Sequence, residues 1–123
     1  MLQPVGSLLQ TAYVVEDVVA AARYWTEVRG VGPFFLFEHF ALDNQTYRGA
    51  PTNVDLTIAA SSSGGVRIEI IQQNNDIPSV YREFLDAGRS GVHHTGYMPR
   101  DYDAEIKRYT AAGHEVAFAG DLE

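Results

Sequence analysis

The sequence predicts an α+β fold of tandem β-α-β-β-β modules, the second of them incomplete. A repeat carries most of this prediction. Residues 10–26 read QTAYVVEDVVAAARYWT and residues 94–110 read HTGYMPRDYDAEIKRYT. At a constant offset of 84 positions, Thr11 falls on Thr95, Tyr13 on Tyr97, Asp17 on Asp101, Ala20 on Ala104 and Thr26 on Thr110. Both copies also show the same succession: an apolar strand, an Asp, then a helix ending in an aromatic. Such self-similarity decides a fold before any local signal does. The stretch between the copies supplies three more strand-like runs. By the same offset, two further strands and about 30 residues would follow Glu123 to complete the second copy.

The elements follow in order. Residues 8–15 form an apolar, β-rich run that Glu16 and Asp17 end, and Asp17 stands where a helix N-cap belongs. Over 18–28, Val18, Ala21, Ala22 and Trp25 recur at helical spacing, and Gly30, Gly32 and Pro33 stop the helix. Residues 34–40 read as an aromatic strand, with Phe34, Leu36, Glu38 and Phe40 on one face. Polar residues 43–53, with Gly49 and Pro51, read as a loop. Strands are expected over 54–60 and 66–72, joined by a flexible Ser/Gly connection at 61–65. A linking helix over about 79–87 starts beside Pro78. The repeat then restarts with a strand from His94 to about Met98, a helix over 102–112 capped by Gly113, and a strand over 115–119. One domain is expected, with module one over about 8–73, a linker helix over about 78–90 and a partial module two over about 92–123.

Composition narrows the function. The 123 residues are 46% hydrophobic and 20% charged, enough for a sizeable core. A net charge of −7 argues against nucleic acid, which needs a basic face. No basic cluster offers itself to a nucleotide phosphate, which disfavours coenzyme A. With no cysteine there is no disulfide, no thiolate nucleophile and no thiolate-bound zinc. The start, MLQPVGSLLQ, lacks the charged and apolar regions of a signal peptide. No apolar stretch approaches the roughly 20 residues of a membrane span. A cytoplasmic protein with no membrane partner is expected.

Side chains alternate between the faces of a strand, so spacing says which can meet. Gln10, Ala12 and Val14 share one face; Arg67, Glu69 and Ile71 share another; His94, Gly96 and Met98 a third. Glu69 lies within VRIEII, where an unpaired buried charge would be costly. A cation or a proton would justify it beside a His-bearing strand, and a salt bridge or solvent exposure would do so equally. One His, one Glu and one amide oxygen are hard or borderline donors. They suit Zn²⁺, Mn²⁺, Fe²⁺, Co²⁺, Ni²⁺ or Mg²⁺.

The segments QTAYVVEDVVAAARYW, VRIEIIQQ and GVHHTGYMPRDYDAEI resemble the vicinal oxygen chelate superfamily. It includes glyoxalase I, methylmalonyl-CoA epimerase, bleomycin-resistance proteins and extradiol dioxygenases. GVGPFF and EIIQQNND point to its glyoxalase-like branch near methylmalonyl-CoA epimerase. The resemblance implies two βαβββ modules forming a curved mixed sheet around a divalent metal ion. It implies ligands at Gln10, Glu69 and His94, with His94 preferred to His93 because His94 pairs with Gln10 in the repeat. The family's fourth ligand, usually Glu, would fall near position 153, past Glu123. By analogy with epimerases that use a pocket carboxylate as base, Glu38 and Asp55 are the catalytic candidates. Phe34, Phe35 and His39 are the candidates for lining a substrate pocket. His93 reads as a packed neighbour and His114 as a surface residue.

Two functions compete. One is a metal-dependent lyase, isomerase or epimerase acting on a small carbonyl or hydroxy-acid substrate through an enolate-like intermediate. The other is a metal-free protein that binds or sequesters a small molecule, of the bleomycin-resistance type. A third reading is a shortened chain stable only as a dimer. Incomplete modules leave sheet edges unpaired, so a homodimer is expected.

Overall fold

The computed structural model describes residues 8–122. The chain opens with strand β1 (Leu8–Val14) and helix α1 (Val18–Glu27), followed by β2 (Phe35–Phe40), β3 (Asp43–Tyr47) and β4 (Ala50–Pro51). Then come β5 (Leu56–Ser63), β6 (Val66–Gln73), α2 (Val80–Asp86), β7 (Val92–Tyr97), α3 (Tyr102–Ala111) and β8 (Phe118–Asp121). The main sheet has five strands in the order β2-β5-β6-β1-β7, and β4-β3-β8 form a second, smaller sheet. Among the described residues only the β1–β6 pair is parallel, so the sheet is mixed and the class α+β.

The two copies of the repeat fold alike at their turns. Asp17 has φ −133° and ψ 101° and accepts from the Ala20 amide; Asp101 has φ −133° and ψ 105° and accepts from the Ala104 amide. Both bonds are 3.0 Å long. Each carboxylate satisfies an amide that has no partner inside its helix. The helices differ in burial. Val18 and Trp25 are buried on α1, whereas α3 buries no residue.

Alternation sorts the core into two layers. Thr11 and Tyr13 of β1 and Ile68 and Ile70 of β6 turn toward α1, where Trp25 meets Tyr13 edge-on at 5.2 Å. Ile70 is fully buried there, and its truncation to Ala would cost about 2–5 kcal/mol. Ala12, Val14, Ile58 and Ile71 turn to the other face, which Tyr81 and Phe84 of α2 cover. The start of α2 is tied down by Ser79, fully buried, whose Oγ accepts from the Tyr81 and Arg82 amides and donates to Gln73 Oε1. This second face, beyond the cover of α2, is the one that carries the candidate site.

Two expectations need correction. The stretch 43–53 is not a loop: it holds the β3–β4 hairpin, and β3 pairs with β8. Its turn has φ 49° at Arg48 and 83° at Gly49, the two left-handed residues that a tight hairpin requires. The strand expected over 115–119 begins later, at Phe118, because its register is set by that hairpin: Phe118 lies opposite Tyr47 and Asp121 opposite Asp43. Gln45 closes the hairpin base, bonding Leu42 O, Val54 O and the Val54 amide from a buried position. Arg48 reaches α2 and grips Glu83 through two bonds of 2.9 Å. No helix is long and apolar enough to cross a membrane among the described residues.

Candidate functional site

Strands β6, β1 and β7 lie side by side, and their registers bring the candidate ligands onto one face. Glu69 lies beside Ala12, and Ala12 lies opposite His94, so the three form a row across the sheet. Gln10 stands one step along β1 on the same face, opposite Gly96. Around the central Thr11–Thr95 pair, the Gln10–Gly96 and Ala12–His94 pairs exchange under the 84-residue repeat. Gln10 and His94 are therefore diagonal neighbours, at a spacing of about 7–8 Å that long side chains can bridge. The residues opposite them are small for a reason. Ala12 is fully buried, and a Cβ on Gly96 would lie 2.7 Å from Gln10 Cγ.

Gln10 and Glu69 are in contact. Gln10 Nε2 donates to Glu69 Oε2 at 3.2 Å, and Arg67 Nε lies 3.4 Å from Glu69 Oε1. The Glu69 side chain is 15% exposed. Burial raises its carboxyl above the usual carboxylate range, against the opposing pull of Arg67 and the Gln10 amide. The carboxylate is thus the charge whose position demands an account.

His94 is oriented by its neighbour. A bulge, with Ala12 opposite His94 but Tyr13 opposite Val92, makes His93 an extra residue. His93 stacks on Tyr81 at 5.4 Å and meets Phe84 edge-on at 5.0 Å, as the packed neighbour it was expected to be. Its Nε2 lies 3.2 Å from the Val80 carbonyl and its Nδ1 lies 2.8 Å from His94 Nδ1. A carbonyl only accepts, so His93 carries its proton on Nε2 and accepts at Nδ1; His94 Nδ1–H is then the donor. That leaves His94 Nε2 with a lone pair. Burial lowers the pKa of both rings, which favours their neutral form. A neutral imidazole whose other nitrogen is fixed by a hydrogen bond is the form that ligates metals.

A cavity of about 520 Å³ opens over Gln10, Arg67 and Glu69, walled by Phe37, Phe40, Ile58 and Met98. His94 borders a different cavity of about 620 Å³, lined also by Ile106 and Tyr109 of α3, which shares no lining residue with the first. Tyr81 shares that second cavity, and the charge of Glu69 adds to the burial that pushes its phenol to about 12. The structure thus brings Gln10 and Glu69 into contact, whereas His94 stands in the same row across the sheet but borders a different cavity. Among the described residues no three His, Asp or Glu side chains form a metal cluster. The third donor of this set is an amide.

The remaining candidates stand elsewhere. Asp55 accepts from His39 Nδ1 at 2.8 Å and from Asn74 Nδ2 at 3.4 Å, and neither Asp55 nor Glu38 borders the cavity over Glu69. His39 is exposed and has φ 52°, and the bulge there breaks the alternation of β2. As a result Phe37 and Phe40 both face the cavity, although spacing set Phe37 apart from Phe40. Phe34 packs with Val18 and Trp25 on the helix side, and Phe35 borders a separate hollow. Arg67, Phe37, Tyr97 and Met98 were not anticipated in the site. The bulge hid Phe37. Arg67 shares the face of Glu69, and that spacing was the available signal.

Comparison with known proteins agrees with this architecture. The model of the Glyoxalase/Bleomycin resistance protein/Dioxygenase superfamily matches residues 9–122, and the chain belongs to that superfamily. No curated protein sequence matches it. Among solved structures, it is similar to a variant of Streptomyces coelicolor methylmalonyl-CoA epimerase in complex with 2-nitronate-propionyl-CoA. The identity is 16%, the coverage 92% of this chain and 74% of that one, and the TM-score 0.61. The Mycobacterium tuberculosis methylmalonyl-CoA epimerase is similar at 20% identity, 92% and 69% coverage and a TM-score of 0.57. A hypothetical protein from Bacillus halodurans C-125 is similar at 15% identity, 87% and 68% coverage and a TM-score of 0.59. At these identities the likeness is one of fold.

Proposed function

We propose that this chain is a metal-dependent lyase, isomerase or epimerase acting on a small carbonyl compound or hydroxy acid through an enolate-like intermediate. Gln10, Glu69 and His94 are the side chains that would hold a divalent cation of the Zn²⁺, Mn²⁺, Fe²⁺, Co²⁺, Ni²⁺ or Mg²⁺ group. The observation that carries this reading is the row of Glu69, Ala12 and His94 with Gln10 bonded to Glu69 beside a cavity. The fold shared with methylmalonyl-CoA epimerases supports it.

The donor chemistry of the three side chains fits such an ion. A half-turn of the Gln10 amide exchanges nitrogen for oxygen at no cost in shape. Glu69 is a carboxylate held from water, and His94 offers a free Nε2 while Nδ1 is engaged. A cation bound there supplies Lewis acidity toward a substrate oxygen. The chain's own residues do the rest. Phe37, Phe40, Ile58 and Met98 give the reacting end an apolar wall. Glu38 or Asp55 is the base proposed for the proton transfer; neither borders the cavity over Glu69, so the substrate would have to extend to it. Glu38 adjoins Phe37 of the cavity wall, while Asp55 is held in place by His39 and Asn74.

Elemental analysis of the purified protein, followed by Mn²⁺ titration of wild type and of the E69A and H94A variants, tests the site. Near-stoichiometric metal that both substitutions remove without unfolding the domain is the expected result; equal uptake by all three would sink it. Exchange of substrate α-protons with deuterated water, followed by NMR for E38Q and D55N, identifies the base. A second reading has its own observation. Arg67 and Gln10 already satisfy Glu69 within the protein, which suits a metal-free binding protein of the bleomycin-resistance type. A metal-free protein that nonetheless retains small carboxylic acids would favour it. On either reading we propose a homodimer.

A further inference from the structure

The cavity over Gln10 and Glu69 adjoins another hollow of about 440 Å³ on the inner side of β2, and Phe37 and Arg67 border both. Register explains the junction. Arg67 lies beside Gln10 on one side and opposite Ser62 of β5 on the other. Among the described residues that border the two hollows, Arg67 is the only cation. Its ion pair with Glu69 is long and runs through Nε, and its side chain is 53% exposed. Such a pair contributes little to stability, so structure alone gives no strong reason for an arginine here. The outer end of a guanidinium is a planar fork that matches a carboxylate. Past it, Phe35 and Phe37 keep 65% and 48% of their surface exposed, a wall for an apolar group.

Three docking features therefore converge at Arg67: a cation, an apolar wall, and the Gln10–Glu69 pair. We infer that the ligands are α-hydroxy or α-keto carboxylates bearing a bulky apolar substituent, with Arg67 as the specificity determinant. The carboxylate sits on Arg67, the α-oxygen points toward Gln10 and Glu69, and the substituent occupies the hollow beside Phe35 and Phe37. All three groups of such an acid hang from one carbon or its neighbour, as the three features hang from one residue. The position of the α-oxygen rests on the proposed function; those of the carboxylate and the substituent do not.

Calorimetric titration of the Mn²⁺-treated protein with phenyllactate, lactate and phenylpropanediol tests this. Phenyllactate should bind tightest. Arg67→Met should weaken both acids about tenfold or more, the scale of a lost charge-assisted hydrogen bond, and leave the neutral diol unchanged. Ser62→Phe should fill the outer hollow and weaken phenyllactate and phenylpropanediol, which share the phenyl group, but not lactate. Arg67→Lys, which keeps charge and stem, guards against a folding defect and should still lose several-fold affinity for the acids. Failure of either acid to bind wild type overturns the inference. So does full affinity in Arg67→Met and Arg67→Lys, or an Ser62→Phe protein that still prefers phenyllactate. Separate Mn²⁺ titrations distinguish the two readings. Acids that respond to Arg67→Met in a protein taking no Mn²⁺ defeat the metal site and leave this inference standing; Mn²⁺ uptake with acids indifferent to Arg67 does the reverse.

Discussion

Gly96 shows how little room the site leaves. Its backbone is ordinary, but a Cβ there would meet Gln10 Cγ at 2.7 Å and Cδ at 2.9 Å. Gly96→Ala must therefore swing Gln10 away from Glu69. A loss of about tenfold in Mn²⁺ affinity is expected, the lower end for disturbing a ligand's support, with little change in Tm. Unchanged affinity would show that Gln10 is not a ligand. The histidines offer a second check. The hydrogen bond and charge of Asp55 raise His39 above its usual 6.5, whereas burial holds His93 and His94 below theirs. NMR titration should place His39 highest of these three, and Asp55→Asn should bring it down. For stability the sign follows from a raised pKa: the pair's contribution is complete below about 6.5 and fades as pH rises through the folded value. At this scale the sequence was partly legible. The repeat matched His94 to Gln10, and the pairing of β1 with β7 has that same register. Phe37 was not legible, because a left-handed residue at His39 upsets the alternation that spacing assumes.

Among the elements, the two β-α turns were read correctly because an Asp cap is a local device. They should differ in consequence. Asp17→Ala removes the cap of a helix with buried Val18 and Trp25, and a global loss of about 1 kcal/mol is expected in chemical denaturation. Asp101→Ala uncaps a helix that buries nothing, so its effect should be local, seen as faster amide exchange in α3 with a smaller change in global stability. Equal global losses would contradict the packing described here. The β3–β4 hairpin was illegible for the opposite reason. Its strands are polar, and Arg48-Gly49 is not the Asn-Gly or Asp-Gly pair that announces such a turn. Long-range partners make it: β8 on one side and Glu83 of α2 on the other. The bonds from Arg48 and Tyr47 hold the Glu83 carboxyl down at about 2. A lowered carboxyl stabilises above its ordinary 4.5, and that contribution goes as pH falls from there toward 2. Glu83→Gln should flatten the acid sensitivity of the fold in this window, although the exposure of the pair keeps the effect small.

For the whole molecule, what matters is where the sheet stops. The last strand of the partial second module, β8, is paired on one side with β3 of the same chain. The main sheet ends at β2 on one side and at β7, beyond β1, on the other, and β7 is the end strand that belongs to the second module. Near it Val92 and Met98 are 51% and 67% exposed, and Leu122 reaches 76%. A row of free amides and carbonyls flanked by apolar side chains invites another strand. The expected occupant is the β7 edge of a second copy, since the same surface on both partners closes under a two-fold axis. Light scattering across the micromolar range should then report a dimer. Val92→Lys should shift it toward monomer by adding charge to that edge, without lowering the Tm of the monomer itself. Amides of β7 should exchange more slowly as protein concentration rises. A monodisperse monomer at all these concentrations, with β7 amides indifferent to dilution, would mean that the edge stays open in solution.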